Sequence, residues 1–389
     1  MYWDKMLIMQ TGIKYDDNNL IISEDRPSFF AMTNFSKTVK SAFSKFQLMC
    51  LNEKTLKLDG KMLQEISDFY TKHNLMLSGN MNRVKITDLT KYINLDAELI
   101  IIKKDEKILG SILSLPLPIH IETDLKINNN IAKGKRYENI IPVNADHKIF
   151  FVGHTTFLNN HKKYRGKGLG MILIQKSLQV AYDIGVLISY FLNRQARCSN
   201  AIKIRNWIFP VNPDRLDILN ISYPRKYRSS YIFNLADAHT IISIDENNSE
   251  KAFSLYLKLV SPKKFYLCPD LKYWKKWIEN HKTYMLKIKD NCVGIFTINK
   301  ITSYIPSKKC EIQHGNVLIC VGQQPETLKS LIYTARLDNY DMITLQECGD
   351  LNSYLLTKIM AINTGTHDYL NFYNTKLVLH ASDIYAPLI

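Results

Sequence analysis

The sequence predicts a mixed α/β fold made from a repeated α/β unit, on three observations. Residues 149–192 run in the order strand, Gly-punctuated basic turn, helix, strand. Residues 284–373 run through a comparable series: a hairpin, then strand, helix, strand, helix, strand. The 389 residues exceed what one core usually holds, at roughly 150 residues per domain. One large mixed sheet is the alternative arrangement of the same elements.

Residues up to about 52 mix Ser, Thr, Asn and Phe without clean periodicity and read as an N-terminal arm, 1–52. In 60–74 the apolar positions Met62, Leu63, Ile66, Phe69 and Tyr70 recur at helical spacing. Residues 98–121 form two apolar strands around a charged turn at 103–107, and the Asn- and Lys-rich stretch 123–148 reads as an exposed insertion. A strand over 149–158 leads into the basic turn 161–168. A helix over 171–184 follows, with Ile172, Leu173, Leu178 and Ala181 on one stripe, and then a strand over 186–192. Further on, strands at 284–288 and 293–305 close a hairpin at Asp290 and Asn291. A short strand (316–321), a helix (326–337), a strand (342–346), a helix (351–362) and a last strand (368–373) complete the series. The two halves divide as 53–220 and 221–389.

With 46% hydrophobic and 22% charged residues, the chain has apolar surface to bury and no disordered bias. The 51 Lys and Arg against 36 Asp and Glu give +15 at pH 7, which favours an anionic partner. The 7 cysteines are odd in number and scattered, without a C-x-x-C pair, so reduced thiols are expected and a metal site is not. No stretch approaches the roughly 18 uninterrupted apolar residues of a membrane span, and no cationic leader precedes an apolar run; a soluble cytoplasmic protein is the expectation.

Arg165-Gly166-Lys167-Gly168-Leu169-Gly170 stands between a strand and a helix. A diphosphate needs closely approaching backbone N–H groups, which Gly permits, and the positive end of a helix. His161, Lys162, Lys163, Arg165 and Lys167 add positive or hydrogen-bonding side chains. A P-loop is excluded by the missing Gly-Lys-Ser/Thr ending. A helix start with a solvated basic face is the other reading.

This R-x-x-G-x-G pattern resembles the coenzyme A loop of the GNAT acyltransferase superfamily. Its flank, Phe157-Leu158-Asn159-Asn160-His161-Lys162-Lys163-Tyr164-Arg165, is similar to the F-L-x-x-H-K-K-x-R signature of the glycylpeptide N-tetradecanoyltransferase (protein N-myristoyltransferase) family. Gly185 also falls on a family glycine. Arg205, Trp207, Asn212, Pro213 and Leu216 match R-x-W-x-x-x-x-N-P-x-x-L, and 110–121 resembles the family strand G-x-I-x-x-x-P-x-x-I-H-I. Tyr2-Trp3-Asp4 resembles the aromatic opening that lies on the acyl-CoA, and Tyr373-Asn374 the last strand.

The resemblance implies two fused GNAT-like halves around a continuous, strongly twisted sheet, with myristoyl-CoA as co-substrate and N-terminal-glycine proteins or peptides as acceptors. The first half would bind the coenzyme and the second shape the acceptor site. It implies cofactor contacts from Tyr2, Trp3, Phe157, Leu158, Asn159, Asn160, Arg165, Gly166, Lys167, Gly168, Leu169 and Gly170. The backbone amides of Phe157 and Leu158 would form an oxyanion hole, and the α-carboxylate of Ile389 would take the amine proton. The apolar ending 384–389 is unlike a solvated tail, which agrees with a buried terminus.

Three departures touch the acceptor side. The stretch 75–80 has no carboxylate where the family carries an acidic cluster, Leu192 replaces a threonine, and Thr155-Thr156 stand where an amide side chain is usual. A catalytically inactive relative that binds acyl-CoA or a lipopeptide, and a GNAT N-acetyltransferase for another amine, are therefore the alternatives. The run 271–277 interleaves aromatics and lysines. A half-buried helix with its lysines reaching water suits it better than nucleic-acid binding, which is not expected. His120, His154 and His367 are isolated and read as packing or hydrogen-bonding residues rather than ligands. A monomer is expected.

Overall fold

The computed structural model describes residues 47–51, 60–73, 81–83, 86–121, 147–157, 173, 177, 188–193, 201–219, 239–305, 309–373 and 379–387. The first half runs β1 (Gln47–Leu51), α1 (Gly60–His73), β2 (Met81–Arg83), α2 (Ile86–Asn94), β3 (Glu98–Lys104), β4 (Lys107–Ile121), β5 (His147–Phe157), β6 (Ile188–Asn193), β7 (Ile202–Pro210) and α3 (Pro213–Ile218). Leu173 and Ser177, between β5 and β6, are helical. The second half runs β8 (His239–Ser243), α4 (Ser249–Val260), β9 (Phe265–Leu267), α5 (Leu271–Asn280), β10 (Lys282–Ile288), β11 (Asn291–Ile305) and β12 (Cys310–Gly322). It continues with α6 (Glu326–Leu337), β13 (Met342–Gln346), α7 (Ser353–Lys358), β14 (Ile362–Tyr373), a 3-10 turn (Ala381–Asp383) and β15 (Ile384–Tyr385).

The described strands form one 15-stranded mixed sheet with the central order β1-β3-β4-β5-β6-β14-β7-β13-β12-β11-β10-β8. From either end the order repeats: an edge strand, an antiparallel meander, then a parallel strand reached through a helix. The duplicated unit and the single large sheet are therefore both present. Each half sends one strand across the centre. β14 pairs with β6 of the first half and β7 pairs with β13 of the second, while β14 and β7 also pair with each other.

Packing follows this exchange. Trp207 and Phe209 of β7 join Leu331, Ile332 and Leu356 of α6 and α7 in one buried cluster. A larger cluster on α1, α2, α4 and α5 takes residues from both halves, including Ile66, Leu89, Tyr256, Trp274 and Trp277.

Local chemistry explains the elements. Asp105 (φ 48°) and Glu106 (φ 61°) form the left-handed turn between β3 and β4. Two central residues with positive φ suit the right-handed twist of a tight hairpin. Pro213 opens α3, where a missing N–H costs nothing. The Asn212 side chain caps that helix, accepting from Arg215 N at 3.2 Å. Asp270 caps α5, accepting from Tyr273 N at 2.6 Å. On α5, Trp274 and Trp277 are fully buried, whereas Lys275 and Lys276 pair with Glu250 and Asp96. This is the arrangement expected of a half-buried helix. His120 stacks on Tyr266, a packing role, and His367 hydrogen-bonds with the Tyr369 hydroxyl.

Several boundaries differ from expectation. The end of the expected arm, Gln47–Leu51, is a strand paired with β3. His147 and Lys148, placed in the insertion, belong to β5; the rest of 123–148 lies outside the described residues. β12 begins at Cys310, since β11 continues as its partner to Ile305 and holds it in the sheet. α7 is shorter than 351–362: the Asn352 side chain caps its start on Leu355 N, and Met360 (φ 61°) ends it. β14 starts at Ile362 and absorbs extra residues in a bulge around Gly365 (φ 68°).

Candidate active site

The site begins at a fork in the sheet. β5 runs parallel to β6 only through Ile149–Ile188, Phe150–Ser189 and Phe151–Tyr190. Beyond that point β5 continues to Phe157 along β4, where Phe157 faces Gly110, and β6 continues along β14. A bulge marks the parting: Ile112 pairs with Thr155 and Ser114 with Val152, so β5 carries one more residue than β4 there. The backbone edge of 152–157 that faces β6 thus has no ladder partner among the described residues. A crevice of this kind, at the carboxyl end of parallel strands that separate, is where α/β sheets bind ligands. The helix that follows the Gly-rich turn is seated on the same sheet: Leu173 is fully buried, and the hydroxyls of Ser177 and Ser114 meet.

Of the expected site residues, Phe157 is placed as the last residue of β5, beyond the fork. Tyr2, Trp3, Leu158, Asn159, Asn160, Arg165, Gly166, Lys167, Gly168, Leu169, Gly170 and Ile389 lie outside the described residues, as do 75–80. Leu192 of β6 is half-buried against the larger core and faces Leu370 of β14, an apolar position with no hydroxyl to offer an amine.

The second half has the same fork. β12 is parallel to β13 through His314–Met342, Gly315–Ile343 and Asn316–Thr344. Its bulge lies where Thr297 pairs with Ile319 and Ile298 with Val317. Its helix start, however, is closed to an anion. Gln323 N donates to Val293 O at 2.9 Å, Thr327 N to Gln323 O at 3.0 Å, and Leu328 N to the Gln324 side chain at 3.3 Å. Glu326 adds a negative charge in the first turn.

This second fork instead opens on a small recess, with room for about a single water molecule, lined by Leu318, Cys320, Gln346, Asp350, Ile384 and Tyr385, among others. Burial pushes the Cys320 and Cys348 thiols up to about 12, so they stay protonated and are poor nucleophiles.

The C-terminal segment connects the two forks. Ile384 and Tyr385 form β15 parallel to β9, which in turn lies against the end of β4. Ile384, Ala386 and Pro387 are buried. The hydroxyl of Tyr190, at the end of the β5–β6 ladder, donates to the Pro387 carbonyl at 3.3 Å. Burial raises the pKa of that phenol, which keeps it a neutral donor. Tyr190 and Leu192 are two apart on β6 and so share a face. Sequence reasoning found the buried tail from its apolar composition but missed Tyr190, whose local sequence carries no signal for the contact.

The architecture is one mixed α/β sheet built from two halves of similar strand order. Its fold is similar to that of N-myristoyltransferase. Two structures of Saccharomyces cerevisiae N-myristoyltransferase with bound myristoyl-CoA superimpose with TM-scores of 0.69 and 0.70, covering 89% of this chain and 86% and 90% of theirs. A third, with myristoyl-CoA and inhibitors, gives 0.68. Identity is 10%, 10% and 9% in the three comparisons. No protein-family model matches the sequence, and no curated protein matches it. Among the described residues no helix is long and apolar enough to cross a membrane.

Proposed function

We propose that this protein is an acyl-CoA-dependent N-acyltransferase that moves myristate from myristoyl-CoA to the N-terminal glycine of a protein. The observation that carries the reading is the route of the C-terminal segment: it passes the second fork and reaches Tyr190 where the first fork opens. The basic loop 165–170 would hold the coenzyme diphosphate. The acceptor nitrogen attacks the thioester carbonyl, the carbon–sulfur bond breaks, and the departing coenzyme A thiolate takes up the second proton that the nitrogen loses, leaving as the thiol. The Phe157 and Leu158 amides would steady the carbonyl oxygen as it gains charge. An N-terminal ammonium has a pKa of about 8 and must lose a proton before it can attack. The Ile389 carboxylate would accept that proton. Consecutive Cα atoms are about 3.8 Å apart, so on this reading the carboxylate would have to act within about 8 Å of Pro387, whose carbonyl accepts from Tyr190.

The test is transfer of radiolabelled myristate to a panel of Gly-starting peptides, beside equilibrium binding of myristoyl-CoA. Transfer supports the reading, and the panel defines the acceptor. Leu192 favours a second reading, an acyl-CoA or lipopeptide binder without catalysis; tight coenzyme binding with no transfer to any peptide would select it. Preference for acetyl-CoA over myristoyl-CoA would instead select an N-acetyltransferase, because a long apolar pocket gains about 0.8 kcal/mol per buried CH₂.

A further inference from the structure

A polar pair interrupts two apolar rows in the middle of the sheet. Ile202, Ile204 and Ile208 line one face of β7, and the remaining position in that row is Asn206, only 7% exposed. On β14, Leu370 belongs to the larger core, and Asp368, two residues away, stands on the same face opposite Ile204. The two polar side chains meet: Asn206 Nδ2 donates to Asp368 Oδ2 at 2.7 Å. The backbone is set for this contact, since β14 bulges between Asn363 and His367 and Thr364 Oγ1 donates to the Asn206 carbonyl at 2.9 Å. An apolar pair would fill the same space without withdrawing a carboxylate and an amide from water, so packing alone does not call for these residues.

The pair stands between the two forks. β14 lies between β6 and β7. Leu192, the next residue on the Tyr190 face of β6 after its ladder with β5 ends, faces Leu370, so Asp368 is its diagonal neighbour at about 7–8 Å. On the other side Asn206 pairs with Gln346, which lines the recess at the second fork. Asp368 is half-buried and so within reach of a ligand. The described residues beside it on that face, Leu192, Ile204, Leu370 and Asn206, are uncharged. A carboxylate aligned in such a setting attracts a cation strongly, and an ammonium is the cation that the proposed reaction brings to the first fork. We propose that Asp368, aligned by Asn206, binds the N-terminal ammonium of the acceptor. Asp368 is then an acceptor-binding residue and Asn206 a positioning one. The inference rests on the acyl-transfer reading above and names what in this chain recognises the amine.

The test uses a Gly-starting peptide that accepts myristate and the N-acetylated form of the same peptide, which has no ammonium. Equilibrium binding of each is measured on the chain loaded with a non-reactive thioether analogue of myristoyl-CoA, for wild type, Asp368→Asn and Asn206→Ala. Wild type should prefer the free peptide by about tenfold or more, as for one charge-assisted hydrogen bond. Asp368→Asn, which keeps the shape of the side chain, should cut that preference about tenfold by weakening the free peptide alone. Its affinity for the acetylated peptide and for the analogue should be unchanged, which also reports an intact fold. Asn206→Ala should fall between, since it keeps the carboxylate and loses its alignment. In transfer assays the same loss should appear in KM for the peptide more than in kcat. A preference that survives Asp368→Asn, or an equal weakening of both peptides, would overturn the ammonium site and leave the transfer reading intact. A wild-type chain that binds the coenzyme and transfers to no peptide would overturn the transfer reading and this assignment with it.

Discussion

Lowering the pH from 7.5 to 5.5 should destabilise this protein through His281. The ring is only 3% exposed, stacks on Trp277 at a centroid distance of 4.3 Å, and has Nδ1 within 3.3 Å of the Trp277 carbonyl. Its Nε2 has no hydrogen-bond partner. Burial, with the nearby Lys91 charge adding to it, holds the pKa down from 6.5 to about 4. The folded state therefore favours neutral imidazole. The contribution is fully present above the unfolded pKa of 6.5 and is lost as pH falls from there toward 4, because the unfolded chain takes up the proton first. A depression of that size amounts to about 3 kcal/mol below pH 4, of which about 1 kcal/mol is already lost between pH 7.5 and 5.5. His281→Phe keeps a ring against Trp277 and cannot titrate. His314, which burial also holds at about 4, is present in both proteins and cancels. Urea unfolding at the two pH values should show wild type losing about 1 kcal/mol more than His281→Phe. Equal losses in the two proteins would refute the assignment of a buried neutral imidazole.

Removing Leu388 and Ile389 should lower turnover about a hundredfold or more while leaving myristoyl-CoA affinity within about twofold, as expected of a lost general base; single-turnover kinetics and equilibrium binding separate the two. Gly349→Ala places a Cβ at φ +57° against the Ile384 carbonyl. It should cost about 1–3 kcal/mol, read by thermal unfolding, and should lower transfer at temperatures where the fold persists. Titration calorimetry should give one myristoyl-CoA per chain despite the two forks; two equivalent sites would contradict the closure of the second by Gln324 and Glu326.

Legibility in the sequence follows the kind of signal each element carries. α6 and β13 are legible to the residue, since both have a clear apolar period between local stops. The duplicated order is also legible, and the motif series leads to the fold that the structural comparison shows. The exchange of β7 and β14 is not, because it depends on pairings between strands far apart in sequence. The first part of β12, Cys310–Gly315, is polar for a strand, yet β11 beside it supplies the hydrogen bonds that its side chains do not. β1 is hidden for the reverse reason: a five-residue edge strand at the end of an aperiodic stretch has too little pattern to register. In the site, the basic loop announces itself through Gly and Lys. Tyr190 and Asp368 carry no motif, since their partners Pro387 and Asn206 are brought to them by tertiary structure.

The symmetry of the sheet sharpens the question of why the two forks should do different work. Both have a bulge on the strand before the helix, a short parallel ladder, and a crevice where the strands separate. What distinguishes the second is local: a helix start whose amides are engaged by its own chain, a carboxylate in the first turn, and a tail segment lining the opening. In the first, the loop that follows the strand is rich in Gly and cations. On the proposed reading, the cations of that loop would direct an anionic coenzyme to the first fork, while the engaged amides and the carboxylate at the second disfavour one there. The exchanged central strands then matter chemically as well as structurally. With β14 against β6 and β7 against β13, neither half can shift its fork without moving a strand of the other, and the tail that runs between them is referenced to both. On the proposed reaction, this couples the site that holds the acyl donor to the site that admits the acceptor through a shared sheet.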